Sequence, residues 1–266
     1  MTITLLRTLL RCMPAALADK VYSHFLRGHA QRLPGAFHAA PLRLCPALRM
    51  NLNSSDTAHG RLAFTGVYDP ELTAYLARLA PSGGLLVDVG ANFGYFSLLW
   101  CGLAENNRSI AFEASPKVLP SLRENIAMNQ LTKRIDLLEV AASNAASVIS
   151  FDVGPPDQTG WGGISSAQTG EGVVQVPAAR LDEVIDAPEI ALLKIDCEGA
   201  DYLVLQGAER LLREKRIKHI CFEENPPRME KLGIESGSAA RYVCGLGYQC
   251  KPFGGGKSAF EYHAWV

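Results

Sequence analysis

Acidic side chains recur where apolar runs of this 266-residue chain break off. Leu85-Leu86-Val87 runs into Asp88, Ile110-Ala111-Phe112 into Glu113, Leu192-Leu193-Lys194-Ile195 into Asp196, and Ile220-Cys221-Phe222 into Glu223. Glu198 follows Asp196 by two residues, and Glu224 follows Glu223 directly. Carboxylates so placed accept hydrogen bonds from ligand hydroxyls, attract cations, or take a proton from a weak nucleophile. After Asp88 come Gly90, Ala91, Asn92, Phe93 and Gly94, a tight turn leading into Tyr95-Phe96-Ser97. An apolar strand, an acid and a glycine loop before a helix form a nucleotide-type site. The loop has no Gly-Lys-Ser/Thr triplet to cradle a phosphate. It also lacks the third glycine of the dinucleotide fingerprint. Asp88 would repel a phosphate and attract an ammonium.

The elements that must position these residues alternate. Strands are expected at 85–89, 109–113, 135–141, 190–195 and 217–223, with helices at 95–104, from Ser115-Pro116 to about 129, 181–185, 202–215 and 238–246. Residues 148–153 and 173–176 read as an added antiparallel pair, and 248–253 with 261–266 as a closing hairpin. Strands alternating with helices imply a mostly parallel sheet covered on both faces. Upstream, Asp69 caps a helix opening at Pro70, with Leu72, Tyr75, Leu76 and Leu79 on one face. Residues 34–60, rich in Pro, Ala, Asn and Ser, read as a connecting region with a short strand or two. The chain thus divides into an extension, 1–60, and a main domain, 61–266. Leu5, Leu6, Leu9, Leu10, Met13, Leu17, Val21 and Phe25 recur at helical spacing, with Pro14 placed to kink or divide the helix. Such a stripe is expected to bury on the domain or on a second subunit, giving a possible homodimer. A membrane-surface helix assisted by Arg7 and Arg11 is the alternative.

Hydrophobic residues make up 48% and charged residues 20% of the chain, enough for a sizeable core, and the formal net charge is −1. No general electrostatic pull toward nucleic acid follows from that balance. No apolar run reaches the ~20 residues that a membrane span needs. Arg7 and Arg11 interrupt the first apolar stretch, which argues against a secretory segment. The seven cysteines are odd in number and contain no Cys-x-x-Cys, so neither a disulfide framework nor a zinc site is expected. A reducing cytoplasm is the simplest compartment.

In open parallel sheets, ligands bind beyond the carboxyl ends of the strands. The loop after Asp88 would lie beneath such a ligand, with Gly90 allowing close backbone approach. The plain alternative for Gly90 and Gly94 is a tight turn before a helix. Asn92 could offer its amide to a ligand carboxylate, Glu113 could accept from two ribose hydroxyls, and the small Ala141-Ala142-Ser143 leaves room for an adenine. S-adenosylmethionine has that combination of adenosine and cationic amino-acid end. Asp196 and Glu198 are expected at its reacting end. Asp201 reads as a helix N-cap. Lys194, inside an apolar strand, is costly unless paired with a carboxylate. Trp161 lies in a long loop, 154–172, as a lid over an acceptor or as an anchor for the loop.

Val87-Asp88-Val89-Gly90-Ala91-Asn92-Phe93-Gly94-Tyr95, Phe112-Glu113-Ala114-Ser115-Pro116 and Leu193-Lys194-Ile195-Asp196-Cys197-Glu198-Gly199-Ala200-Asp201 together resemble the FkbM family of SAM-dependent methyltransferases. Gly66-Val67-Tyr68-Asp69-Pro70, Leu205-Gln206-Gly207-Ala208 and Phe222-Glu223 fit the same pattern, so the resemblance runs from about Phe64 to the C-terminus. Cys197 and Asp201 stand where valine and glutamate are more usual. The resemblance implies a class I methyltransferase fold, with a mostly parallel seven-stranded sheet ending in an antiparallel hairpin. It implies S-adenosyl-L-methionine as donor and O-methylation of a sugar, glycolipid or natural product. Asp88, Gly90, Asn92, Gly94 and Glu113, with Ala142 from the small-residue reading, are the expected cofactor contacts. Asp196, Glu198 and Glu223 are the expected catalytic acids, and Glu224 is a further candidate base. Mg²⁺ remains possible, although no Asp-rich string suggests a metal site. A catalytically inactive SAM-fold partner module and a nicotinamide oxidoreductase are the alternatives.

Overall fold

The computed structural model describes residues 3–253 and 261–266. Seven strands form the central sheet, numbered here in chain order: β1 (Leu85–Val89), β2 (Arg108–Phe112), β3 (Ile135–Leu138), β4 (Ile190–Ile195), β5 (Ile217–Glu223), β6 (Gln249–Pro252) and β7 (Glu261–Trp265). Their spatial order is β6-β7-β5-β4-β1-β2-β3. The β1–β2, β2–β3, β1–β4 and β4–β5 pairs are parallel, while β7 pairs antiparallel with both β5 and β6. The expected closing hairpin is therefore present, although its turn, 254–260, lies outside the described residues.

Helices run from α1 (Ile3–Cys12) and α2 (Ala15–Val21) through α3 (Thr57–Thr65), α4 (Pro70–Leu79), α5 (Tyr95–Leu103), α6 (Leu119–Met128), α7 (Leu181–Val184), α8 (Asp201–Gln206), α9 (Glu209–Arg213) and α10 (Pro226–Lys231) to α11 (Ser238–Gly245). Two cores cover the sheet. On one, Trp100, Leu98, Leu99, Leu122, Leu76 and Leu86 are buried together; on the other, Val87, Leu193, Val204, Leu211, Ile220 and Val243. Each fully buried aliphatic side chain contributes about 1.5–3 kcal/mol of transfer free energy, which explains why the central strands read as continuous apolar runs.

Besides the unforeseen short helix α10 and the start of α6 at Leu119 rather than Ser115, three elements depart from expectation. The third strand stops at Leu138, and Ala141–Ala142 instead pairs in parallel with Val173–Ala179 in a second, four-stranded sheet. That sheet contains the expected antiparallel pair, Ser147–Asp152 with Val173–Ala179, plus an edge strand at Gly163–Ile164 that partly orders the long loop. The helix expected over 202–215 is two helices, α8 and α9, parted at Gly207. A Cβ there would lie 2.0 Å from the Ser143 carbonyl oxygen, and the Gly207 carbonyl accepts from the Asp182 N–H. Finally, the connecting region contains the unforeseen helix α3, capped by Asp56, which accepts from Ala58 N–H, and closed by Gly66 at φ +73°.

Pro14 divides the first helical stretch as expected. Leu10, Ala18, Tyr22, Phe37, Ala63 and Phe64 form a separate small core that fixes α1 and α2 onto α3. Among the described residues no helix is long and apolar enough to cross a membrane. All seven cysteines are free.

Candidate functional site

The carboxyl ends of β1, β2, β4 and β5 open onto one cavity of about 210 Å³. Gly90, Asn92, Glu113, Ala142, Asp196, Glu198 and Glu223 all line it. Asp88 and Gly94 do not. Asp88 is fully buried beneath the loop, where Lys194 Nζ lies 3.2 Å from its Oδ1 and the Ser97 hydroxyl donates to its Oδ2 at 2.7 Å. The cation that Asp88 attracts is therefore in the protein, not in a ligand. Gly94 is the N-cap of α5 at φ +91°, and a Cβ there would press on Leu122 Cδ1 at 2.6 Å. Its role is the turn, the plainer of its two readings.

Lys194 is the central strut of this loop. Its ammonium donates to the carbonyls of Gly90 at 2.8 Å and Val89 at 3.3 Å, and lies 3.8 Å from Asp196 Oδ2. Burial works against that charge, but Asp88 and Asp196 outweigh it and hold the ammonium above its ordinary value. The Gly90 and Ala91 N–H groups both donate to the Phe112 carbonyl, tying the loop to β2. Gly90, at φ +72°, is obligatory because a Cβ would meet the Asp196 carbonyl oxygen at 2.1 Å. The close approach it permits is to the loop after β4.

Glu113 is buried, with each carboxylate oxygen holding one backbone donor: Asn92 N–H at 2.7 Å on Oε2 and Ser115 N–H at 2.8 Å on Oε1. Burial raises its pKa while these donors pull it down. Each oxygen has a further lone pair, so the side chain can accept two more hydrogen bonds from the cavity. Asn92 sits at φ +50°, and its Oδ1 is buried without a hydrogen-bond partner. Ala114, Ala141 and Ala142 supply a wall of small side chains.

The loop after β4 is strained in the same way. Glu198 takes φ +52° and Gly199 φ +94°. Non-glycine residues in that region cost on the order of 1–3 kcal/mol and gather at functional sites. Arg228 Nε approaches Glu198 Oε2 at 3.2 Å, and Asn225 Nδ2 donates to the same oxygen at 3.1 Å. Burial, then the Asp196 charge, still pushes the Glu198 carboxyl up to about 7. Glu223 is pushed to about 8 by burial and by Asp196, Asp201, Glu198 and Glu261. Asp201 does not cap its helix. It is buried and accepts from Glu223 N–H at 3.0 Å and Cys197 N–H at 3.3 Å, stapling the β4 and β5 ends together. Glu224 points to the other side of β5, accepting from Gly237 N–H at 2.6 Å and Ala239 N–H at 3.1 Å at the start of α11, so it is no base.

A second opening, about 660 Å³, adjoins the first. Trp161, Ile164, Glu198 and Glu223 line both. Ser165, Asn225, Arg228 and Lys231 belong to the outer one. Trp161 is half-exposed; Arg228 lies 5.7 Å from its ring centroid and donates to its carbonyl at 2.9 Å. Its loop is also fastened from the other end. The Thr159 N–H and hydroxyl donate to Asp56 Oδ2 at 2.6 and 2.7 Å. Asp56, Thr159 and Tyr68 thus complete the inner cavity, none of them expected there. Burial, then nearby Asp196, raises the Tyr68 hydroxyl's pKa. Tyr68 had a signal, the Gly66–Pro70 motif; Asp56 and Thr159, 103 positions apart, had none. Among the described residues, no group of three or more His, Cys, Asp or Glu side chains is arranged to hold a metal ion.

A parallel sheet with one reversed strand, a glycine loop after β1 and an acid at the end of β2 define the class I SAM-dependent methyltransferases. Comparison with known proteins narrows this. The model of the methyltransferase FkbM domain matches residues 88–250, well over half of the chain, and the chain belongs to that family. It is 26% identical over 160 residues to methyltransferase sdnD of Sordaria araneosa, a match spanning 48% of this chain and 62% of that relative. It is also similar to two solved structures. One is the precorrin-6y C5,15-methyltransferase of Geobacter metallireducens (TM-score 0.44, 16% identity, 75% of this chain and 89% of that one). The other is the SAH-bound methyltransferase PaMTH1 of Podospora anserina (TM-score 0.45, 12% identity, 73% and 78%).

Proposed function

We propose that this methyltransferase transfers a methyl group to a hydroxyl of a sugar, glycolipid or natural-product acceptor. The observation that carries the reading is the placement of Glu198 and Glu223, which line both the inner cavity and the outer groove, with carboxyls pushed to about 7 and about 8.

The inner cavity suits S-adenosylmethionine. Glu113 has lone pairs for the ribose hydroxyls, the three alanines leave space for adenine, and Asn92 has a buried amide oxygen without a partner. When bound, the cofactor supplies an electrophilic sulfonium methyl. Asp196, Glu198 and Glu223 are the groups that can receive the proton lost by an acceptor hydroxyl as its oxygen gains the methyl. A base with a pKa near working pH combines adequate proton affinity with a useful deprotonated fraction. Arg228 and Asn225 fix Glu198 through Oε2, leaving Oε1 outside that pair. Trp161 and its loop form a wall between the two openings, placed to act as a lid once an acceptor is bound.

A panel of hydroxyl, amine and carboxylate acceptors with methyl-labelled S-adenosylmethionine tests the reading, with hydroxyl compounds expected to take the label. On the acceptor found, Asp196→Asn, Glu198→Gln and Glu223→Gln should separate turnover from cofactor binding. At least one should lower kcat by about 10²–10⁴-fold with cofactor affinity little changed. Full turnover in all three removes the proton-acceptor role, and label on nitrogen alone removes the hydroxyl class.

A further inference from the structure

Charge is segregated along this chain. Residues 1–55 hold seven Lys and Arg side chains and one acid, Asp19, a net charge of +6 in a chain whose formal total is −1. Asp19 is already paired with Arg61 at 2.8 Å. The same segment holds half of the exposed large hydrophobic side chains among the described residues, with Leu5, Leu9 and Leu17 each about half exposed and Phe25 at 65%.

Much of the surface of these apolar groups is left to solvent by the fold. On α1, Leu10 is buried and Leu6 packs against the same small core, while Leu5 and Leu9, one helical turn apart, face solvent. The next helical stretch, α2 and the π-helical turn Tyr22–Leu26, repeats this. Ala18 and Tyr22 point inward, whereas Leu17 and Phe25 are exposed beside the exposed Lys20, His24 and Arg27. The expected burial of the stripe on the domain therefore accounts for one face only. Behind the helices, the half-buried Arg7, Arg11 and Arg43 hold backbone carbonyls of Ala63, Pro41 and Met13. Burial, then the Arg49 charge, depresses the Arg7 guanidinium, and burial, then the charges of Arg7, Arg43 and Arg49, brings Arg11 to about 10.

We propose that α1, α2 and the following turn form a docking surface for an anionic phospholipid bilayer. Leu5, Leu9, Leu17 and Phe25 enter the acyl boundary, and Lys20, Arg27 and Arg32 meet the headgroups. A second copy of this chain does not fit the face as well, because an isologous contact would bring two sets of the exposed Lys20, Arg27 and Arg32 together. Nucleic acid complements the charge but offers no apolar phase for four large side chains.

The full chain is sedimented with vesicles of phosphatidylcholine alone or with one part in four phosphatidylserine. It should bind the mixed vesicles, bind the neutral ones at least ~tenfold more weakly, and be released by high salt. Leu17→Glu/Phe25→Glu should weaken binding at least ~tenfold, and Lys20→Glu/Arg27→Glu/Arg32→Glu likewise, with unchanged melting temperatures. The second set involves exposed side chains only and carries the test should the first not fold. Absence of binding by the unaltered chain overturns the proposal, as does undiminished binding by both variants. A dimer that Leu17→Glu/Phe25→Glu dissociates would assign the face to a second copy and overturn it too.

Discussion

Replacing Lys194 by methionine removes one ammonium and takes a donor from three groups, of which Asp88 keeps the Ser97 hydroxyl and the Val89 carbonyl keeps the Asp196 N–H. Asp88 is fully buried and retains only the Ser97 hydroxyl, while the Gly90 and Val89 carbonyls lose the strut that sets the loop. Lys194 itself is 3% exposed. Removing one partner of a buried ion pair costs about 3–5 kcal/mol, because the remaining charge has no solvent to turn to. In a domain of this size, 1 kcal/mol shifts the melting temperature by about 2–4 °C, so Lys194→Met should melt on the order of 10 °C lower. Asp88→Asn added to Lys194→Met removes the stranded charge and should restore more than half of the loss, a coupling that urea titration of the single and double variants measures. If Lys194→Met melts within about 1 °C of the unaltered protein, or the double variant loses the sum of the single losses, the pair does not hold the loop. Cofactor affinity should fall in Lys194→Met for the same reason, since Gly90 lines the cavity.

Three further outcomes follow from the same geometry. Gly90→Ala sets a Cβ against the Asp196 carbonyl at a positive φ and should cost more than about 2 kcal/mol in urea unfolding and abolish calorimetric binding of S-adenosylhomocysteine. Glu113→Gln places an NH₂ group against a backbone N–H of Asn92 or Ser115 and should weaken that binding about 10–100-fold, consistent with the ~1–3 kcal/mol of an unpaired buried donor. The pH response has a definite sign. Glu198, Glu223 and Asp201 keep protons in the folded state up to about 7, 8 and 7, whereas unfolded carboxyls release them near 4. Between those limits the native state binds more protons, so their contribution to stability falls as pH rises from about 4.5 to 8. The depressed His59, His219 and His263 act in the opposite sense, so the test is the difference: over that range Glu223→Gln should lose less melting temperature, relative to its value at the acid end, than the unaltered protein.

The parallel core was legible because its strands are apolar on both faces and end in acids, and because Asp69-Pro70 and the two loop glycines punctuate it. The converging residues followed from those strand ends, so Glu113, Asp196, Glu198 and Glu223 meet at one cavity. Asp88 was misread for a physical reason. An acid at a strand end looks the same in one dimension whether it faces a ligand or a lysine on the neighbouring strand, and register decides: Asp88 pairs with Lys194. Asp56 and Gly66 bracketed α3 with ordinary cap residues, but the mixed composition between them gave no apolar period to support a helix. The Asp56–Thr159 contact, joining segments 103 positions apart, has no local signature at all.

The most direct test is a crystal structure with S-adenosylhomocysteine. The ribose hydroxyls should lie on Glu113, the adenine against Ala141 and Ala142, and the sulfur toward Asp196, Glu198 and Glu223. Nucleoside bound in the groove beside Arg228 and Lys231, with Glu113 still engaged only by Asn92 and Ser115, would contradict the account.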